Sequence, residues 1–231
     1  MDDSGPQRHG RVHDAAGARR AILNAAEEVF AQHGFDGARI DAIAAAAGYN
    51  KSLIFQYFGD KLNLYAEVIK RADRQGSEMQ ARVFALLLED ETFATDARKF
   101  RTLLETAMRV LFDYLAEHPR IVRILAWEQA EGWQTFTKIA SQFDTEDIAL
   151  FRALCSKAQN AGLLRPGSDP IVLIMIAEQM YLSYLTSGPL YQAVLPGEDF
   201  SSPAALARVQ ESIVEFLVHG MMVDPRLAQQ P

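Results

Sequence analysis

The sequence lacks the features that mark disulfide-bonded, membrane-spanning and secreted proteins. One cysteine, Cys155, stands among 231 residues, so the chain cannot form an internal disulfide, and this favours a reducing compartment. No apolar run reaches the ~18 residues that a membrane-spanning helix needs, and the polar N-terminus lacks the apolar segment of a signal peptide. We therefore expect a cytoplasmic protein that has no membrane partner.

The usual signatures of catalysis are missing as well. The chain has no glycine-rich phosphate loop, no cluster of metal-ligand residues and no nucleophile elbow. Its five histidines are scattered, and Cys155 lies on an apolar helix face, where a small core residue is the ordinary occupant. We predict that the protein is not an enzyme and needs no cofactor or metal.

The chain also lacks the net positive charge that is common in nucleic-acid-binding proteins. The formal net charge is −7. Residues 1–74 hold 10 basic and 10 acidic side chains, so the whole acid excess lies in residues 75–231. An N-terminal part without net charge can still hold phosphates through a few well-placed cations. The charge distribution therefore permits DNA binding at the N-terminal end without requiring it.

What the sequence does contain is helical periodicity along most of its length. Apolar residues recur at the spacing of amphipathic helices, and no run alternates with the period of a β-strand. We predict an all-α fold in which residues 1–17 form a disordered arm and residues 188–202 a loop. The predicted helices cover residues 18–33, 40–47, 51–58, 60–90, 100–118, 119–132, 145–161, 170–187 and 203–221.

Two of these helices are short and lie close together. The first has apolar residues at i, i+3, i+4 and i+7, which mark one buried face, and Gly48 follows it. Glycine adopts the left-handed conformation of a tight turn at almost no cost. The second helix resumes at Lys51 or Ser52. Helix, glycine-containing turn and helix at this spacing predict a helix-turn-helix.

The residues around this turn follow a longer pattern: Gly34-Phe35, then Ile40-x-x-Ile43-Ala44-x-x-Ala47-Gly48, then Phe55-x-Tyr57-Phe58-x-x-Lys61-x-x-Leu64. This pattern resembles the N-terminal DNA-binding domain of TetR-family transcriptional regulators. It departs from the family at Ala38 and Arg39, where threonine is usual, and at Leu53 and Phe55. The resemblance implies a three-helix DNA-binding domain over residues 18–64 and a helical ligand-binding and dimerisation domain over residues 65–231.

The candidate DNA contacts lie on and beside the second helix of the turn. Gln56 can form a bidentate pair with adenine, and Asn50 can either do the same or cap the helix. Arg39 is a candidate for a phosphate contact, and the resemblance implies the same role for Tyr57 and Lys61. The full predicted DNA-binding set is Arg39, Tyr49, Asn50, Lys51, Ser52, Gln56, Tyr57 and Lys61.

The middle helices supply candidates for a small-molecule pocket. They carry large apolar side chains beside a few isolated acids, a composition typical of a ligand cavity, although most of these residues could equally be core. An acidic pocket would favour a neutral or cationic ligand. The predicted pocket residues are Met108, Phe112, Trp127, Glu128, Trp133, Phe136, Glu178, Tyr181 and Tyr184.

The last two helices are apolar nearly all round. Such helices can complete an internal core or, as the resemblance implies, meet a second copy in a four-helix interface. The predicted interface residues are Ile174, Leu182, Val209, Ile213, Phe216 and Leu217. The hypothesis is a repressor that binds double-stranded DNA at a palindromic operator as a homodimer and is released by an unidentified small molecule. The alternatives are an activator, or a helical binding or scaffold protein that does not use its helix-turn-helix.

Overall fold

The computed structural model describes residues 9–88, 90–167 and 169–223. These residues form helices and no β-strand, with one isolated bridge between Leu164 and Met222. The prediction of an all-α fold is confirmed. The helices are α1 (His9–Gly37), α2 (Ile40–Ala47), α3 (Lys51–Phe58), α4 (Lys61–Leu88), α5 (Ala97–Glu117), α6 (Pro119–Ala130), α7 (Phe136–Ile139), α8 (Glu146–Asn160), α9 (Pro170–Val194) and α10 (Pro203–Met221).

Helix α1 begins earlier than the sequence predicts. Residues 9–17, expected to be a disordered arm, are helical, and residues 1–8 of that arm lie outside the described residues. Ala15, Ala16 and Ala18 are strong helix formers, so extending the helix at its N-terminal end outweighs the ~1 kcal/mol that Gly17 costs. The helix is interrupted at Gly34, whose φ of 67° is not helical.

The chain divides into two compact units that are each discontinuous in sequence. The first reaches to Ala72 and includes Arg123–Gln142, and the second consists of Asp73–Val122 and the residues from Phe143 onward. In the first unit α1 packs on α2 and α2 on α3. In the second unit α5, α9 and α10 pack on one another and α8 packs on α9.

The second unit has its own apolar core. Phe100 and Leu104 of α5, Cys155 of α8 and Val218 of α10 are buried at its centre. Burial raises the pKa of the Cys155 thiol to about 12, so the group is neutral at physiological pH. The prediction that this cysteine is a small core residue is confirmed.

Helix α9 corrects two expectations. It continues past Ser187, through Pro189, to Val194. Proline removes one backbone hydrogen bond from a helix, and the last turn is held by Tyr191, whose ring packs 5.8 Å from that of Phe200. Helix residues 171–194, with a mean hydropathy of 1.2, are also long and apolar enough to cross a membrane, because Glu178 is their one charged residue. Length and composition alone are weak evidence for a span, since core helices meet the same test.

Candidate functional site

The turn between α2 and α3 is closed by the backbone of Gly48 and Tyr49. Gly48 has a φ of 74°, in the left-handed region, and its N–H donates to the carbonyl of Ala45 at 3.3 Å. The N–H of Tyr49 donates to the carbonyl of Ala44 at 3.1 Å. These bonds satisfy the last carbonyls of α2 and fix the direction in which α3 leaves the turn.

Helix α3 has one buried face and one exposed face. Ile54 and Phe58 are buried in the first unit. Lys51, Ser52 and Gln56 are exposed. An exposed row of ammonium, hydroxyl and carboxamide groups on a short helix can donate to and accept from base edges in a major groove.

Asn50 caps α3. Its Oδ1 accepts a hydrogen bond from the N–H of Leu53 at 2.8 Å, and its backbone is extended, as the N-cap position requires. Of the two roles that the sequence leaves open for Asn50, capping is the one that the structure contains. The amide nitrogen of the side chain remains as a donor.

Lys51 forms an exposed ion pair with Asp41 of α2. The ammonium lies 3.1 Å from the carboxylate, and both side chains are largely exposed. An exposed pair of this kind contributes at most about 1 kcal/mol. A phosphate group can therefore replace Asp41 as the partner of Lys51 at little cost.

Lys61 stands at the start of α4, where Asp60 caps the helix by accepting the N–H of Asn63 at 2.7 Å. The Lys61 ammonium donates to the carbonyl of Asp36 at 3.3 Å and lies 4.6 Å from the centroid of the Phe35 ring. Partial burial lowers the pKa of Lys61, and the Asp36 carboxylate opposes that effect. Asp60 therefore satisfies one of the free N–H groups in the first turn of α4.

The other three predicted contacts lie close to these in sequence. Arg39 occupies the N-cap position of α2, makes no capping bond through its side chain, and is exposed. Tyr49 and Tyr57 are half-buried. Four exposed side chains, one at the N-cap of α2 and three on α3, therefore carry polar groups that hold no structural contact, apart from the weak ion pair of Lys51. They are Arg39, Lys51, Ser52 and Gln56.

Glu128 of α6 is a buried carboxylate that the first unit uses for its own structure. It is 2% exposed. Its Oε1 accepts the hydroxyl of Tyr65 at 2.5 Å, and its Oε2 accepts the N–H of Phe136 at 3.1 Å. Burial and the bond to Glu128 raise the pKa of the Tyr65 hydroxyl. This carboxylate joins α4, α6 and α7.

Gly34 makes a second close contact in the same unit. A Cβ at this position would lie 3.1 Å from Cδ2 of Trp127, and the φ of Gly34 is positive. The Trp127 indole N–H donates to the carbonyl of Ala31 at 3.3 Å. The glycine is therefore required both for its backbone conformation and for the approach of the indole ring.

These contacts give four of the predicted pocket residues structural roles in the first unit. Trp127, Glu128, Trp133 and Phe136 belong to the first unit, where both Glu128 oxygens are occupied and the Trp133 ring packs 5.9 Å from that of Phe136. Their spacing on amphipathic segments is correct, but spacing does not say which part of the chain a helix packs against.

The second unit contains a cavity of about 180 Å³. Met108 is the predicted pocket residue that lines it. The contribution of α8 was not predicted from the sequence, although its apolar residues Ile148 and Phe151, at i and i+3, lie on one face of the helix. The lining comes from α5, α8, α9 and the end of α10 and includes Leu104, Met108, Asp147, Ile148, Phe151 and Ile174.

The remaining predicted pocket residues have other surroundings. Phe112 and Tyr181 are buried core residues whose rings meet edge to face at 5.2 Å. Tyr184 donates its hydroxyl to the carbonyl of Phe200 at 3.0 Å. Glu178 is half-buried, and burial raises the pKa of its carboxyl. None of these four residues lines the cavity around Met108.

The predicted interface residues differ in how far they are buried within the single chain. Leu182, Ile213 and Leu217 are buried within the chain, and Val209 and Ile174 are half-buried, with Ile174 at the cavity. Phe216 is 66% exposed. Besides Phe216, the exposed apolar surface of α9 and α10 comes from α9 residues that were not predicted from the sequence: Val172, Met175, Ile176, Leu190, Tyr191 and Val194.

Comparison with known proteins agrees with this arrangement. Residues 22–68 match the bacterial regulatory proteins of the tetR family, and residues 101–217 match the tetracyclin repressor-like C-terminal domain. The chain is 35% identical over 120 residues to the HTH-type transcriptional repressor SCO4008 of Streptomyces coelicolor, covering 52% of this chain and 54% of that one. It is 28% identical over 177 residues to the repressor NicS of Pseudomonas putida, covering 74% and 77%.

A solved structure gives the same result. The protein SCO4942 of Streptomyces coelicolor, described as a transcriptional regulator, superimposes with a TM-score of 0.60 at 26% identity and covers 88% of this chain and 98% of its own. The two matched sequence ranges together include the helix-turn-helix and most of the second unit. The chain therefore belongs to the TetR family of DNA-binding transcriptional regulators.

Proposed function

We propose that this protein is a cytoplasmic repressor that binds a palindromic operator as a homodimer and is released by a small molecule. The observation that carries the proposal is the exposed polar face of α3, with Lys51, Ser52 and Gln56 held outward by the buried Ile54 and Phe58. Both relatives compared above over the longer ranges are named repressors, which favours repression over activation.

In this proposal α3 lies in the major groove. Gln56 offers a carboxamide that can pair with N6 and N7 of adenine, and Lys51 and Ser52 reach neighbouring base edges or phosphates. Lys61 and Arg39 hold backbone phosphates on either side of the turn. Because Lys61 is already held beside Phe35 and Asp36, little further ordering is needed when it binds a phosphate.

The uncovered apolar surface of α9 and α10 supports a second copy as the partner. Met175, Val194 and Phe216 are 58%, 64% and 66% exposed in the single chain. Burial of such side chains against another copy stabilises by about 25 cal/mol per Å² of apolar area. Two copies would place two α3 helices on half-sites about 34–36 Å apart.

Release by a small molecule requires that the ligand bind more tightly to the form that does not bind the operator. The cavity around Met108 is the candidate site for that ligand. A ligand bound in this cavity would shift the equilibrium toward the form that does not bind the operator and so lower the operator affinity.

The first test separates phosphate contacts from base contacts. Selection from random DNA would give the operator motif, and fluorescence anisotropy would give its affinity over a range of salt. Lys61→Ala should weaken binding to all sequences and lower the salt slope by about 1 for each copy. Lys157→Ala, an exposed lysine of α8, is the matched control and should leave both unchanged. An unaltered slope in Lys61→Ala would remove Lys61 from the phosphate contacts.

The second test concerns sequence reading. Gln56→Ala should relax the preference for one base pair by about 1–3 kcal/mol while keeping the salt slope. Gln75→Ala, an exposed glutamine of α4, should keep the wild-type motif. The same motif selected by Gln56→Ala and by wild type would contradict the assignment.

A reporter gene fused to the selected operator then distinguishes repression from activation, because loss of a repressor raises expression and loss of an activator lowers it.

A further inference from the structure

The cavity of the second unit has an unusual distribution of charge. Its wall is made of aliphatic, methionine and phenylalanine side chains of α5, α8, α9 and α10. Asp147, at the start of α8, is the one charged side chain of that wall, and no lysine or arginine lines it among the described residues. A ligand in this cavity would thus meet an apolar surface on most sides and a single carboxylate on one.

Asp147 is available to a ligand. Its side chain is exposed, and within the described part of the chain its carboxylate takes part in no ion pair or hydrogen bond. The adjacent Ile148 is 50% exposed, so an apolar group and a carboxylate stand together at the edge of the cavity. Within the described residues, a cation at Asp147 would therefore displace no existing partner of its carboxylate.

The surroundings of Asp147 reinforce its negative potential. The pKa of Asp73 is raised, first by burial and then by the charges of Asp147 and Asp144, and Arg74 opposes this only in part. Three carboxylates therefore interact here with one guanidinium. A cation placed at Asp147 would relieve this repulsion, and an anion would add to it.

The volume limits what fits. A cavity of 150 Å³ lined by apolar residues binds benzene, and this one encloses about 180 Å³. The buried part of a ligand is therefore about one aromatic ring with a short substituent, or an aliphatic group of similar size.

We propose that this cavity binds a compact apolar amine, with its ring or alkyl group against Met108 and Phe151 and its ammonium at the carboxylate of Asp147. The site deepens the proposed function, because such an amine would be the small molecule that releases the operator. Binding itself does not depend on that role.

The test uses three probes that share one ring and differ in charge. The probes are 2-phenylethylamine, which is protonated at neutral pH, 2-phenylethanol, which is neutral, and 3-phenylpropionate, which is an anion. Each is titrated into the full chain by calorimetry up to millimolar concentration. We expect the amine to bind about threefold to fivefold more tightly than the alcohol, because an ion pair with an exposed carboxylate contributes no more than that, and the propionate to bind more weakly than both.

Variants locate the site. Asp147→Asn should remove the preference for the amine and leave the alcohol affinity within about twofold. Asp144→Asn, which alters a neighbouring carboxylate outside the cavity wall, should retain most of the preference. Ala107→Leu fills the cavity from α5 and should weaken all three probes, with circular dichroism confirming the helical fold.

Each contrary result overturns the proposal. Equal affinity for amine and alcohol, or a preference that survives in Asp147→Asn, removes the carboxylate from recognition. Unchanged amine binding in a folded Ala107→Leu places the amine elsewhere. The proposed repressor function and the proposed amine site can fail separately. Operator binding without amine binding would support the repressor function and reject the amine site. Amine binding that leaves operator affinity unchanged keeps the site and rejects its regulatory role.

Discussion

The hydrogen bond between Tyr65 and Glu128 allows a quantitative prediction. Tyr65 is 1% exposed and Glu128 is 2% exposed, and their oxygens are 2.5 Å apart. Tyr65→Phe removes one oxygen and preserves the ring, so packing is unchanged. What is lost is a donor to a buried carboxylate, and such a bond contributes about 1.5–3 kcal/mol.

The free energy of unfolding should fall by that amount in Tyr65→Phe. For a chain of this size, each kcal/mol lowers the midpoint of thermal unfolding by about 2–4 °C, which gives a decrease of roughly 3–12 °C. Urea and thermal unfolding followed by circular dichroism measure both quantities. Tyr49→Phe is the matched control, since the Tyr49 side chain is half-buried and makes no hydrogen bond in the described residues, and it should stay within about 0.5 kcal/mol of wild type.

A double-mutant cycle makes the reasoning refutable. Glu128→Leu removes the carboxylate, after which the Tyr65 hydroxyl has nothing charged to donate to. The double variant should therefore be more stable than the sum of the two single effects by about 1–3 kcal/mol. If Tyr65→Phe unfolds like wild type and the coupling energy is zero, the bond does not hold these helices together.

Two further predictions concern backbone conformation and assembly. Gly34→Ala should lower the free energy of unfolding by about 1–3 kcal/mol, because its Cβ meets Trp127 at 3.1 Å and its φ is positive. Gly188→Ala is the control, because a Cβ added at Gly188 would have no other atom within 4 Å. In urea titrations this variant should be as stable as wild type or more stable. Equal stability of Gly34→Ala and Gly188→Ala would contradict the steric argument. Phe216→Glu should sediment as a monomer in analytical ultracentrifugation, whereas Lys157→Glu should sediment like wild type. A Phe216→Glu variant with the wild-type sedimentation coefficient would show that the interface lies elsewhere.

The sequence predicts best what is decided locally. Gly48, Asn50 and Asp60 act on backbone groups within a few residues of themselves, so their positions in the helix-turn-helix follow from residue type and spacing alone. The same is true of the buried face of α3, where Ile54 and Phe58 recur at helical spacing. These features required no knowledge of the rest of the chain.

The pocket required long-range information that periodicity does not contain. An amphipathic pattern shows that one face of α6 is buried, but it does not show that Trp127 and Glu128 contact Ala31 and Tyr65. The cavity is formed around Met108 by helices that are distant in sequence, and Asp147 joins it only through the packing of α8. Its chemistry could therefore not be read from any one segment.

Three of the six predicted interface residues, Leu182, Ile213 and Leu217, are buried within the chain for a related reason. A helix that is apolar all round gives no contrast between its faces, so the sequence could not tell that Leu182 points inward and Met175 outward. That choice depends on how α9 packs against α5 and α10.

The bond between Tyr65 and Glu128 also has a consequence for the order of events during synthesis. The two residues are 63 positions apart, so the ribosome produces the helix-turn-helix well before the segment that contains its buried carboxylate. At 5–20 residues per second the interval is about 3–13 s. During that time the face of α4 around Tyr65 and the surface beside Gly34 are uncovered in the nascent chain. A newly made DNA-binding end thus becomes complete only after α7 has emerged, and a fragment that ends after α4 would carry that uncovered surface permanently.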